Sequence, residues 1–298
     1  MTSANIPVDL RNPGQVFACL GFMEATEVLC GPCDGGFGYL DTETLTTFRL
    51  STTAARNPVE EVLRFLGSAR VHAMAPAMSA PAEALSAAKW GVETTDASST
   101  SYPFEPPGTP ATLAATLIDK QGRAIPISHW GDSPKSGRDN VKFWAGSGGY
   151  PGVALVRDAL ELLGRETLNS LAAAVKDPFA VSVPQSSSFR FDWRRDYVPL
   201  DAGFSPNEQG NVLMVGFPIV ELLAAIGLEH ARPERPARDK LVYRYGVSNT
   251  VLPTAFARAV LGTKGLNFPM RTFRMRLGWP GQEGQARCII DAREENAI

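Results

Sequence analysis

The sequence contains no apolar run approaching the roughly 20 residues that span a bilayer. Its opening residues, Met-Thr-Ser-Ala-Asn-Ile-Pro-Val-Asp-Leu, have neither the basic start nor the apolar stretch of a signal peptide. These absences predict a cytoplasmic protein without a membrane partner. Cysteine is scarce as well: Cys19, Cys30, Cys33 and Cys288 are too few and too scattered for a disulfide-stapled secreted fold. Zinc-ligand spacing is missing, because only one Cys pair is close and His72, His129 and His230 stand far apart. There is no Walker pattern, no Gly-x-Ser-x-Gly elbow and no coiled-coil heptad, so no cofactor is expected.

What is present begins with an uneven charge distribution. The net charge is −2 over 298 residues. Residues 1–110 carry 6 Lys/Arg against 12 Asp/Glu, residues 111–186 carry 8 against 7, and residues 187–298 carry 15 against 12. Near-neutrality argues against a free-standing polyanion binder and allows one basic face inside a larger assembly. Hydrophobic content of 44% and charged content of 20% are those of a globular chain.

Three segments read as strands that send arginines outward. In Phe189–Arg194, Phe189, Phe191 and Trp193 alternate with Arg190, Asp192 and Arg194. Around Leu241–Tyr245, Leu241, Tyr243 and Tyr245 share one face and Arg244 takes the other with Val242. In Arg271–Leu277, Phe273, Met275 and Leu277 oppose Thr272, Arg274 and Arg276. A period of two places aromatics in a core and arginines on one basic sheet surface. A polar outer face is also what any half-buried sheet requires.

The rest of the chain predicts an α+β fold of mostly antiparallel sheets with flanking helices. The reading divides it into an N-terminal region, 1–110, with a Ser/Thr/Pro-rich loop near 94–109, and a C-terminal region, 111–298. Asn12-Pro13 and Asn57-Pro58 open helices, the second with Glu60 placed for a capping box. Hairpins are expected at 37–50 and 111–127, and helices at 153–163, 166–176, 219–228 and 254–261. Residues 291–295, Asp-Ala-Arg-Glu-Glu, read as an acidic tail after a closing strand at 287–290. Ala18-Cys-Leu-Gly21 echoes Ala224-Ala-Ile-Gly227, as two helices packed through small residues would.

A loop at 135–152 is rich in glycine, basic residues and aromatics, and feeds a helix N-terminus. Lys142 and Trp144 are its candidate nucleic-acid contacts, one for phosphate and one for stacking. Two catalytic alternatives arise. Cys30-Gly-Pro-Cys33 has the letters of a dithiol motif, but Asp34-Gly35-Gly36 follows where that chemistry needs a helix to begin. His129, near Asp132 and Ser133, is the candidate general base for metal-free RNA cleavage.

Three blocks together resemble a known family. They are residues 12–25 (Asn-Pro-Gly-Gln-Val-Phe-Ala-Cys-Leu-Gly-Phe-Met-Glu-Ala), 191–207 (Phe-Asp-Trp-Arg-Arg-Asp-Tyr through Ser-Pro-Asn) and 217–233 (Phe-Pro-Ile-Val-Glu through Ala-Arg-Pro). The similarity is to CRISPR-associated proteins of the Csb/Csx group of subtype I-U, also called I-G. It implies a large-subunit-like component of a Cascade-type complex that holds guide RNA or target DNA, including PAM-proximal DNA, beside other Cascade subunits. On that implication the nucleic-acid-binding residues are Lys142, Trp144, Arg190, Arg194, Arg195, Arg244, Arg274 and Arg276, with no catalytic group. A guide-RNA processing endoribonuclease using His129 and a purely architectural subunit are the alternatives.

Overall fold

Two buried helices that touch backbone to backbone hold the molecule together. The structure, a computed structural model, describes residues 1–39, 45–75, 79–86, 90–96, 113–131, 151–166, 170–194, 214–236, 239, 241–263, 269–278 and 287–295. Helix α1 (Pro13–Cys30) is buried along Pro13–Thr26, and α6 (Pro218–Gly227) is buried throughout. Gly21 and Gly227 sit where they cross. A Cβ on Gly21 would lie 1.9 Å from the Leu223 carbonyl oxygen, and one on Gly227 would lie 2.2 Å from that of Phe17. The two echoed segments therefore pack against each other, each supplying the missing side chain that lets the other approach.

Strands β1 (Thr2–Asp9), β2 (Cys33–Gly38), β3 (Leu45–Thr52) and β11 (Leu252–Pro253) form a sheet in the order β1-β3-β2-β11. With β3 inserted between β1 and β2, and α1 connecting those two, this is a split β-α-β unit. Its inner face sends Ile6, Val8, Phe48 and Leu50 into the core. Asn12 caps α1 by accepting from the Gln15 N–H at 3.4 Å. In α2 (Pro58–Ser68) the Asn57 side chain accepts from Val59 and Glu60. The return half of the expected capping box is absent, because Glu60 accepts from Arg64 at 2.6 Å instead.

A second sheet, β5-β4-β6-β7, comprises β4 (Arg70–Ala75), β5 (Thr94–Asp96) and the hairpin β6 (Ala114–Ile118) and β7 (Ala124–Ile127). The short α3 (Ala80–Ser86) leads into it, and β4 and β5 run parallel. The amphipathic α4 (Gly152–Glu166) packs between α2, β4 and α6. After α5 (Leu171–Lys176), β8 (Val183–Pro184) pairs with β9 (Val215–Gly216). The chain closes with a three-stranded antiparallel sheet of β10 (Val242–Val247), β12 (Arg271–Gly278) and β13 (Cys288–Glu295), with α7 (Thr254–Leu261) against β10. The fold is mixed α+β, as expected. One continuous apolar cluster draws residues from before and after position 110, from Ile6 to Ile289. Among the described residues no helix is long and apolar enough to cross a membrane.

Residues 189–194 depart from the expectation of a strand. Arg190 has φ +62°, a left-handed conformation that breaks an extended run. The N–H groups of Phe191 and Asp192 donate to Glu221 Oε1 at 3.1 and 3.2 Å, so α6 takes the donors a strand neighbour would use. A Cβ on Gly14 would sit 2.5 Å from the Phe191 carbonyl oxygen, so α1 presses on the segment from the other side. Phe189 and Phe191 are buried as read, but beyond the turn the alternation inverts: Asp192 is buried and Trp193 is 46% exposed. The segment is a clamp between helices.

Candidate nucleic-acid interface

The sheet β10-β12-β13 puts Tyr243, Tyr245, Phe273, Met275 and Leu277 into the core. Tyr245 stacks on Phe273 with centroids 5.3 Å apart, and its hydroxyl donates to the Leu10 carbonyl at 2.7 Å. That inner face fixes the register of the outer one, since a slip of one residue would turn every side chain over. On the outer face Arg244 pairs with Arg274, and Arg274 with Arg293, so three arginines form a row across three strands. Arg276 lies one step along the sheet, between Val242 and Asp291. It is exposed and makes no ion pair with the described residues.

Like charges in adjacent registers repel, and β13 supplies the compensation. Glu295 accepts from Arg244, at Nε and from Nη2 at 3.3 Å, and from Arg274 Nε at 2.7 Å. Glu234, joined to Arg244 by an isolated backbone bridge, lies 3.6 Å from its Nη1. Arg293, 83% exposed, reaches Asp291 at 3.0 Å. On the other face Arg271 holds Glu294 through two hydrogen bonds of 2.6 Å. Residues 291–295 are thus a strand, not a free tail, and their carboxylates neutralise much of the basic surface.

These pairs make the sheet acid-sensitive. Hydrogen bonding from Arg271 holds the Glu294 carboxyl below its usual pKa, and hydrogen bonding from Arg244, joined by Arg274, does the same for Glu295. Groups depressed in the folded state stabilise it above their unfolded pKa, about 4.3 for Glu. That stabilisation is lost as pH falls through the lower folded values. Melting temperature should therefore drop as pH is lowered from about 5. The double variant Glu294→Gln/Glu295→Gln should show a shallower drop in a thermal-melt series.

The remaining expected contacts do not converge on this face. Arg190 is half-buried in the clamp, its carbonyl receiving the Ile289 N–H at 3.5 Å. Arg194 donates to Asp192 at 2.6 Å and to the Phe179 carbonyl at 2.8 Å, and its guanidinium lies 3.8 Å from the centre of the Phe217 ring. It is committed within its own chain, as Arg244 largely is. Lys142, Trp144 and Arg195, with the whole 135–150 stretch of the glycine-rich loop, lie outside the described residues. Arg293 was overlooked because it sits in the stretch read as a tail. Its signal was the period of two in Asp291, Arg293 and Glu295, which complements Arg274 and Arg276.

The catalytic alternatives meet physical obstacles. His129 is buried, and desolvation, reinforced by Arg232, pushes its pKa well below the ordinary value. It does not face solvent where an RNA strand could reach it. Burial pushes the Cys33 thiol up to about 12, and burial together with Glu61 raises Cys30. The dithiol letters close α1 rather than open a helix, with Gly31 at φ +91° between them. Cys30 should accordingly alkylate no faster than an ordinary thiol at pH 7, and a rapidly reacting thiolate in an iodoacetamide time course would contradict this.

Fold and face together describe an α+β protein carrying a partly neutralised arginine row on a terminal sheet. No protein-family model, curated protein or solved structure matches the chain.

Proposed function

We propose that the chain is a non-catalytic subunit of a Cascade-type CRISPR effector complex, cytoplasmic, gripping the backbone of guide RNA or target DNA with the outer face of β10-β12-β13. The observation that carries this reading is the in-register row Arg244, Arg274 and Arg293, with Arg276 beside it. Phosphates repeat along a strand, and a row of guanidinium groups can engage successive ones by charge-assisted, bidentate hydrogen bonds. Glu295 does not abolish this role. It holds Arg244 and Arg274 extended in the absence of a polyanion, and a phosphate can replace it as acceptor. The resemblance of residues 12–25, 191–207 and 217–233 to the Csb/Csx group supplies the biological setting.

The same carboxylates favour a second reading, an architectural subunit whose charged face meets a protein neighbour. The triple variant Arg274→Ala/Arg276→Ala/Arg293→Ala separates the two. Nucleic-acid retention by the purified chain or complex should fall by about a factor of ten or more if the face binds backbone, because several phosphate contacts are lost. Unchanged retention with lost assembly would favour the architectural role.

A further inference from the structure

An open cleft of about 830 Å³ lies between the C-terminal end of α2, strand β4 and helix α4. Its size falls among ligand pockets, which run from about 300 to 1,000 Å³. The floor is apolar, built from the buried side chains of Leu63, Val71, Val92 and Leu160. The rim carries both signs: Arg64, Arg70, Lys120 and Arg157 line it together with the carboxylates of Glu93 and Glu161. Arg64 and Arg157 have partners in Glu60 and Asp158, each at 2.6 Å. Arg70 and Lys120 are exposed and form no ion pair with the described residues.

Two glycines in this lining are enforced neither by positive φ nor by a clash with the described residues. Gly67 is near the end of α2 and Gly164 near the end of α4, and neither has positive φ. Among the described residues a Cβ on Gly67 would meet nothing within 4 Å, and one on Gly164 would meet the Gly67 carbonyl at 3.9 Å, an ordinary contact. This is the opposite of Gly21 and Gly227, where helix contact forbids a side chain. Alanine would fit at both cleft positions and is the better helix former. A larger side chain at either position would occupy the cleft that both line.

We propose that this cleft binds a nucleotide unit, its base against the floor of Leu63, Val71 and Leu160 and its phosphate at Arg70 and Lys120. An aliphatic floor beside Arg70 and Lys120, two exposed cations without ion pairs among the described residues, matches a ligand that is flat and poorly hydrated at one end and anionic at the other. The unit is either a free nucleoside monophosphate or the terminal or unstacked nucleotide of a strand. The proposal stands apart from the terminal sheet and does not need it.

Calorimetric titration of the full chain with the nucleoside monophosphates, the matching nucleosides and a short single-stranded RNA tests it. The variants are Gly164→Leu, which fills the cleft, and Arg70→Ala/Lys120→Ala. Saturable monophosphate binding, tighter than that of the nucleosides and weakened about tenfold by either variant, supports the free nucleotide. Monophosphates that fail to bind, with RNA affinity reduced about tenfold by either variant, support the nucleotide of a strand. Monophosphate and RNA binding untouched by both variants would overturn the proposal, even if Arg274, Arg276 and Arg293 remain essential for RNA. Were Gly164→Leu to misfold, the surface pair Arg70→Ala/Lys120→Ala carries the test alone.

Discussion

Gly227→Ala should cost the protein about 3 kcal/mol or more, the upper end of overpacking effects. In an exposed helix the same replacement stabilises by about 1 kcal/mol, because alanine restricts the unfolded chain and suits helical geometry. The sign reverses here because the new methyl would sit 2.2 Å from the Phe17 carbonyl oxygen and 2.7 Å from the Gly21 amide nitrogen. Both obstacles are backbone, so no rotamer change relieves the clash and α1 must move away from α6. That movement would open the apolar cluster the two helices share. Against a typical total stability of about 5–15 kcal/mol, the loss is large enough to leave a fraction of the protein unfolded at 37 °C. Gly67→Ala, with open space around its Cβ, is the control and should be neutral or stabilising. Denaturant midpoints that move the same way for both variants would show that the helices do not cross as described.

Asp192→Ala should also be damaging, at about 2–3 kcal/mol, because it leaves buried hydrogen-bond donors unsatisfied, although Arg194, 31% exposed, keeps part of its hydration. Asp192 is 1% exposed and accepts from Asn12 Nδ2 at 2.8 Å and from the Arg194 amide and guanidinium at 2.6–3.2 Å. Its removal strands the Arg194 charge between the Phe179 carbonyl and the Phe217 ring and leaves the Asn12 amide without that acceptor. Because Asn12 also caps α1, the damage should spread to the start of that helix, where hydrogen exchange at Gln15 and Val16 should accelerate. A loss below about 1 kcal/mol in chemical denaturation, the scale of an exposed pair, would mean that the clamp does not organise the core.

Much of the fold was legible because local signals and tertiary packing agreed. Asn-Pro caps marked the starts of α1 and α2, and alternation placed Tyr243, Tyr245, Phe273 and Met275 inward with Arg244, Arg274 and Arg276 outward. The glycine echo anticipated the α1–α6 contact, which is a close-approach constraint written into both helices. Residues 189–194 misled because the pattern of a strand says nothing about where its N–H groups go. Glu221, some thirty positions away, takes them, Arg190 turns left-handed, and after Phe191 the faces are reversed. Residues 291–295 misled for a different reason. A short acidic run has little intrinsic strand preference, and only the neighbouring Arg274 and Arg276 make it a good edge. The site was therefore half-readable: the arginine row showed itself, but its own neutralising carboxylates did not.

The most direct test of the arginine row is the salt dependence of nucleic-acid binding, measured for the unaltered chain, for Arg274→Ala/Arg276→Ala/Arg293→Ala and for Glu295→Gln. Each phosphate contact contributes about 0.9 to the slope of log affinity against log salt on duplex DNA and about 0.7 on single strands. The account predicts a shallower slope, by about two to three contacts, for the arginine variant. It predicts tighter binding with an equal or steeper slope for Glu295→Gln, which releases Arg244 and Arg274 to the phosphates. Identical slopes for all three proteins would contradict it.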